Sequence, residues 1–185
     1  LRETARSLRP GEVKAGGALE FVALYEQYLP RIFRYFSYRV NDSGQAEDLT
    51  SVVFEKALTR FGSFRAERSS FATWLFAIAR NTLTDHYRAI GKKRWLPLEK
   101  VTGMAGMKRN QPEEKFAGKQ CRQQLKACLA TLSSQERDIV SLKFGGEFTN
   151  REIAGLTGLS ESNVGTILYR VVRKLRDCFG EWPNG

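Results

Sequence analysis

Three sets of side chains in this sequence have the composition and spacing to bind polyanions or a protein partner. Between residues 69 and 91, Thr73, Ala77, Arg80, Thr84 and Arg88 recur at helical spacing. They form a face of hydroxyls and guanidiniums with few acids, which runs into Lys92, Lys93 and Arg94. Such groups hold phosphates and unpaired bases, although locally an ordinary amphipathic helix with a solvated charged side reads the same way. Near the end of the chain Ser162, Asn163, Thr166, Tyr169, Arg170 and Arg173 share a second face, with Lys174 beside it. Hydroxyls, an amide and arginines on one helix can address base edges and phosphates in a major groove. A third set, Glu47, Asp48, Ser51 and Glu55, makes an acidic spot on a basic chain, suited to a basic protein surface or to helix capping alone.

Catalysis finds less support. The sequence contains no Gly-rich phosphate loop and no nucleophile with a base beside it. Its single histidine, His86, falls on an apolar face where packing is the simpler role. Three cysteines, Cys121, Cys128 and Cys178, are odd in number and lack a Cys-x-x-Cys pair. Neither a disulfide framework nor a metal site is expected from them, and buried small hydrophobes are. No cofactor is implied. A net charge of +10 points to nucleic acid first and an anionic membrane second. No apolar run is long enough to span a bilayer, so the reading is cytoplasmic, without a membrane partner.

The elements that must position these faces all read as helices. Apolar residues from Leu19 to Val40 repeat at helical period around Pro30, giving two helices or one kinked helix. Asp42 or Ser43 can cap a second helix that turns Ala46, Leu49, Val53 and Ala57 inward. Residues 61–68 read as a loop. Ser69 or Ser70 starts the helix of the first face, Gly91 ends it, and Phe71, Trp74, Leu75, Ile78 and Thr82 make its apolar stripe, with Phe76 and Tyr87 flanking the polar side.

Residues 95–112 have no sustained apolar face and contain Pro97, Gly103, Gly106 and Pro112, which marks a flexible linker. Beyond it, Ser133 to Glu136 and Thr149 to Glu152 both have the capping-box form. Gly158 supplies a tight turn before a helix capped by Ser160, with Val164, Ile167, Leu168, Val171 and Leu175 facing inward. This is a helix-turn-helix pattern, and a two-helix corner that binds nothing is the alternative. The fold class is all-α: a flexible leader at 1–18, a helical domain at 19–94, the linker at 95–112 and a helix-turn-helix domain at 113–180.

In order, Leu24-Tyr25-Glu26-Gln27-Tyr28-Leu29-Pro30, Ala46-Glu47-Asp48-Leu49-Thr50 with Val53-Phe54, Phe71-Ala72-Thr73-Trp74-Leu75 with Ile78-Ala79-Arg80-Asn81, and Leu159-Ser160-Glu161 through Arg173-Lys174-Leu175 resemble a bacterial sigma factor. The likeness is to the extracytoplasmic-function type (ECF, group 4) of the sigma-70 family. It implies a non-enzymatic promoter-specificity subunit whose first domain is region two and whose second is region four. By the resemblance, Glu47, Asp48, Ser51, Val52 and Glu55 contact core RNA polymerase. Ser51 and Val52 stand where Gln and Glu are usual. Arg65, Arg68, Thr73, Arg80, Asn81, Thr84 and Arg88 correspond to the reader of the melted minus-ten element. Ser162, Asn163, Thr166, Tyr169, Arg170 and Arg173 correspond to the reader of the minus-thirty-five duplex, although Gly165 and Ile167 replace the Lys and Arg common there. Many such proteins also bind an anti-sigma factor.

Overall fold

The first apolar run closes into one helix, α1 (Ala15–Ser37), which passes through Pro30 without interruption. Pro30 is exposed, so the ring and the carbonyl it leaves without an amide partner face solvent, where the missing hydrogen bond costs least. The computed structural model describes residues 15–93 and 116–180; most of the expected leader and all of the expected linker lie outside them. Helix begins at Ala15, ahead of the expected start at 19, so Gly16 and Gly17 are helical.

Asp42 is the residue that caps α2 (Ser43–Arg60), its carboxylate accepting from the Gln45 amide at 3.0 Å. Ala46, Leu49, Val53 and Ala57 are buried as their spacing requires, with Thr50 and Phe54. Thr50 can be buried because its hydroxyl donates to the Ala46 carbonyl at 2.7 Å. A 3-10 turn at Phe61–Ser63 and an irregular stretch lead to α3 (Phe71–Lys93). Ser70 caps it, accepting from the Thr73 amide at 3.2 Å. The helix does not stop at Gly91, as expected, but runs on to Lys93.

α1, α2 and α3 pack around an aromatic core in which Phe21 meets Phe61, Tyr25 meets Phe54 and Tyr28 meets Phe71, all edge to face. Each such pair contributes about 0.5–1.5 kcal/mol beyond its buried area.

The second domain contains α4 (Phe116–Ala130), α5 (Ser134–Val140), a π turn at Ser141–Gly145, α6 (Asn150–Thr157) and α7 (Glu161–Phe179). Both expected capping boxes are formed, at Ser133 with Glu136 and at Thr149 with Glu152. Gly158 takes a left-handed φ of 76° between α6 and α7, a conformation that strains any residue with a Cβ. Ser160 caps α7 and Val164, Leu168 and Val171 are buried beneath it, with Ile167 and Leu175 half-buried. The helix-turn-helix is therefore present.

The cysteine expectation fails. Cys128 of α4 and Cys178 of α7 form a disulfide across a sequence separation of 50, while Cys121 is a free, exposed thiol. Short-range spacing cannot show such a pair, because the two residues meet only when two helices pack.

The two domains share one hydrophobic cluster instead of standing apart. Phe76, expected to flank the polar side of α3, is fully buried, with its ring 4.7 Å from Phe148 and 5.6 Å from Tyr35. Ala72, Phe76, Ala79 and Leu83 form a second buried stripe on α3. The π turn is pressed onto α1 so closely that a Cβ on Gly145 would lie 2.8 Å from the Tyr35 N and Cα. Only glycine allows that approach.

Candidate nucleic-acid interface

On α2 the acidic spot is real and outward. Glu47, Asp48, Ser51, Val52 and Glu55 are all exposed, opposite the buried stripe of the same helix. The Ser51 hydroxyl donates to the Glu47 carbonyl at 3.1 Å. Among the described residues no cation pairs with Glu47, Asp48 or Glu55, so three carboxylates are presented to solvent.

The basic set splits into two neighbourhoods. Arg65 and Arg68 lie exposed in the stretch before α3, where Arg65 Nη1 donates to the Gly62 and Phe64 carbonyls, both at 2.9 Å. Beside them Phe64 stands against Phe71 and Trp74, with ring centroids 5.5 and 5.3 Å away. Trp74 is half-buried in this cluster rather than sealed in the core. Thr73 is half-buried and shares a 2.9 Å hydrogen bond with Ser70.

Further along α3 the second domain intervenes. Arg80 donates through Nε to Asp138 Oδ2 at 3.2 Å, its Nη2 lies 3.0 Å from the same oxygen, and Nη1 donates to the Leu156 carbonyl. Asn81, Thr84 and Arg88 remain exposed. The Thr84 hydroxyl donates to the Arg80 carbonyl at 2.9 Å, and Arg88 pairs loosely with Asp85 at 3.8 Å. These three, with Arg39, Arg80 and Tyr87, line the first-domain wall of an open cleft of about 790 Å3 between the domains.

Asp138, which sequence reasoning passed over, organises that cleft. Tyr35 donates its hydroxyl to Asp138 Oδ1 at 3.0 Å, and Arg39 Nη1 stands 3.7 Å from the same oxygen while donating to the Ser134 carbonyl at 3.0 Å. Burial first, then the Asp138 charge, raises the Tyr35 hydroxyl well above the ordinary tyrosine range, so it stays protonated and donating. A second clamp closes the other side: Arg31 donates to the Gly146 carbonyl, and Arg34 pairs with Glu147. The Arg31 guanidinium lies over Tyr28 at 5.0 Å and Phe148 at 5.5 Å. The visible signal for this contact was the set of Tyr35 on α1, Arg39 just past its end, and Phe76 and Arg80 on α3, but its counterpart in the other domain has no sequence marker.

The α7 face expected to meet duplex DNA is open to solvent. Ser162, Asn163, Thr166, Tyr169, Arg170 and Arg173 are exposed, Tyr169 to 71%. Thr166 donates to the Ser162 carbonyl at 3.0 Å, and Lys174 is drawn aside to Glu136 at 2.6 Å. Glu136 and Glu152 both sit below the ordinary carboxylate range. For Glu136 the Lys174 hydrogen bond is the larger cause, and for Glu152 it is the backbone N–H of Thr149. Among the described residues no cluster of His, Cys, Asp and Glu could hold a metal. His86 is half-buried beside Tyr87, at 5.8 Å between rings.

Residues 24–93 match the family described as Sigma-70 region 2, and residues 122–175 match Sigma-70, region 4. The RNA polymerase sigma factor YlaC of Bacillus subtilis is 33% identical over 153 residues, covering 83% of this chain and 88% of its own length. The chain belongs to the ECF sigma factors of the sigma-70 family. The ECF sigma factor BldN of Streptomyces coelicolor is 35% identical over 165 residues, covering 88% of this chain, but the match spans only 61% of BldN.

In fold, this sigma factor resembles the sigma factor RpoE solved with the anti-sigma factor NepR from Bartonella quintana. The TM-score is 0.65 at 21% identity, covering 86% of this chain and 96% of that one. It also resembles CnrH in complex with the cytosolic domain of CnrY, with a TM-score of 0.62 at 19% identity, covering 89% and 90%. Members of the family are non-enzymatic initiation factors that give RNA polymerase its promoter.

Proposed function

We propose that this chain is a group 4 sigma factor of the cytoplasm that binds bacterial core RNA polymerase through the α2 face centred on Asp48. With Arg65, Arg68, Thr73, Arg80, Asn81, Thr84 and Arg88 it captures the melted minus-ten element. With Ser162, Asn163, Thr166, Tyr169, Arg170 and Arg173 it reads the minus-thirty-five duplex. Its described helices include none long and apolar enough to cross a membrane. The observation that carries the reading is the separation of chemistries: an acidic face on α2, and basic, hydroxyl-rich faces on α3 and α7, each backed by its own buried stripe. Since Arg80 is held by Asp138, we read the described arrangement as a closed form that opens when promoter and polymerase compete for the same groups. An anti-sigma factor, such as the one bound in the solved RpoE–NepR complex, is a partner of the kind that would favour a closed form.

The test is transcription by bacterial core polymerase supplied with this chain at a two-element promoter. Initiation should depend on the chain, and Asp48→Lys should abolish core association while leaving the helical fold intact. Arg170→Ala should weaken promoter binding by about 1–3 kcal/mol if its guanidinium reads a base edge. Tight operator binding by the chain alone, with no association with core polymerase, would contradict the proposal.

A further inference from the structure

Cys128 and Cys178 join α4 to the last turn of the DNA-reading helix, with Cα atoms 5.8 Å apart. The loop they close contains the end of α4, all of α5 and α6, and α7 as far as Cys178, so one bond encircles the helix-turn-helix. The two sulfurs have unequal access. Cys128 is 1% exposed, whereas Cys178 is exposed next to Gly180, where the chain leaves the helix at a φ of 73°.

The fold also has other anchors for α4. Leu129 and Leu132 are buried, Leu125 is half-buried, and Lys126 donates to the Asn41 carbonyl at 2.9 Å. A reduced Cys128 is a small apolar side chain that such a site accepts. Both redox states can therefore be folded. The free thiol of Cys121 lies two turns before Cys128 on α4 and lines the same groove as Asp177 and Phe179, the neighbours of Cys178. Three cysteines, one a free thiol and two joined in the disulfide, thus stand within one small region of the second domain.

We propose that Cys128 and Cys178 are a reversible thiol modification site, a two-electron couple that responds to low-molecular-weight disulfides such as glutathione disulfide. The exposed Cys178 thiolate attacks one sulfur of glutathione disulfide, its S–S bond breaks, and one glutathione thiolate leaves and is protonated. The Cys128 thiolate then attacks the Cys178 sulfur of the mixed disulfide and displaces the second glutathione. Two protein thiols lose two electrons and two protons, and one glutathione disulfide becomes two glutathione molecules. In a cytoplasm, disulfides are characteristically transient and redox-sensing, so this inference rests on the cytoplasmic reading for its biological setting. Oxidation closes the ring and stabilises the second domain by restricting its unfolded chain.

The experiment equilibrates the full chain in mixtures of reduced and oxidised glutathione, then alkylates it and maps the blocked cysteines by mass. Cys128 and Cys178 should lose reactivity together and regain it on reversal within the range of glutathione ratios, while Cys121 stays reactive. The thermal midpoint of the oxidised chain should lie several degrees above that of the reduced chain. Cys178→Ser, at an exposed position, should abolish that shift. Cys128→Ala should instead leave Cys178 as a glutathione adduct or bonded to Cys121. A bond that never forms, or one that resists every glutathione ratio in the native chain, overturns the proposal. None of these readouts involves polymerase or promoter, so failure here is separate from failure of the proposed function.

Discussion

At the scale of residues, the Asp138 carboxylate gathers Tyr35, Arg39 and Arg80 from the other domain. Arg39 is 8% exposed, and its Nε has no hydrogen-bond partner among the described residues, so Asp138 is the counter-charge that makes its burial tolerable. Asp138→Asn keeps the shape and removes that charge. Breaking a buried pair from one side costs about 3–5 kcal/mol; Arg80 is partly exposed and can rehydrate, which places the expected loss near the lower figure. Denaturant unfolding should show it, and under the proposed function Arg80 would also be released for DNA. Reading the sequence located Arg80 but not its partner, because an aspartate in a short helix carries no mark of what it will face. Phe76 was misplaced for a related reason. Its stripe with Ala72, Ala79 and Leu83 was visible, but a second apolar stripe next to the first reads as ragged amphipathicity until another domain covers it.

At the scale of elements, the second domain depends on its helix starts. Thr149→Ala removes the hydroxyl that accepts from the Glu152 amide at 3.3 Å, and should cost about 1 kcal/mol in thermal or denaturant unfolding. Glu136 and Glu152 have folded-state values below their unfolded ones. Their contribution is therefore complete above the ordinary carboxylate range and is lost as pH falls through the lowered values. Melting the chain across that acid range should show a falling midpoint, and Glu136→Gln should flatten part of the slope. These caps, the Gly158 turn and the buried stripes of α2 and α7 were legible because each is set by residues within one or two turns. The run of helix through Pro30 and past Gly91 was less so, since proline and glycine weaken a helix without fixing where it ends. The disulfide was not legible at all, because it depends on how α4 lies against α7.

At the scale of the whole molecule, the π turn docked on α1 is the contact most specific to the closed form. The three nearest atoms that a Cβ on Gly145 would meet are backbone atoms of Arg34 and Tyr35 in the other domain, at 2.8 to 3.0 Å. Gly145→Ala should therefore part the domains while leaving each folded, seen as a larger radius in small-angle scattering with unchanged helical content. The central claim is that two promoter-reading helices are held together at rest and separate to work. Energy transfer between labels at the exposed Ser63 of the first domain and the exposed Gln123 of the second, in a chain that still supports transcription, tests it most directly. The account predicts a high, uniform signal in the free chain that falls when core polymerase and promoter are added, and a lowered signal in Gly145→Ala without them. An unchanged signal on a promoter that is being transcribed would contradict it.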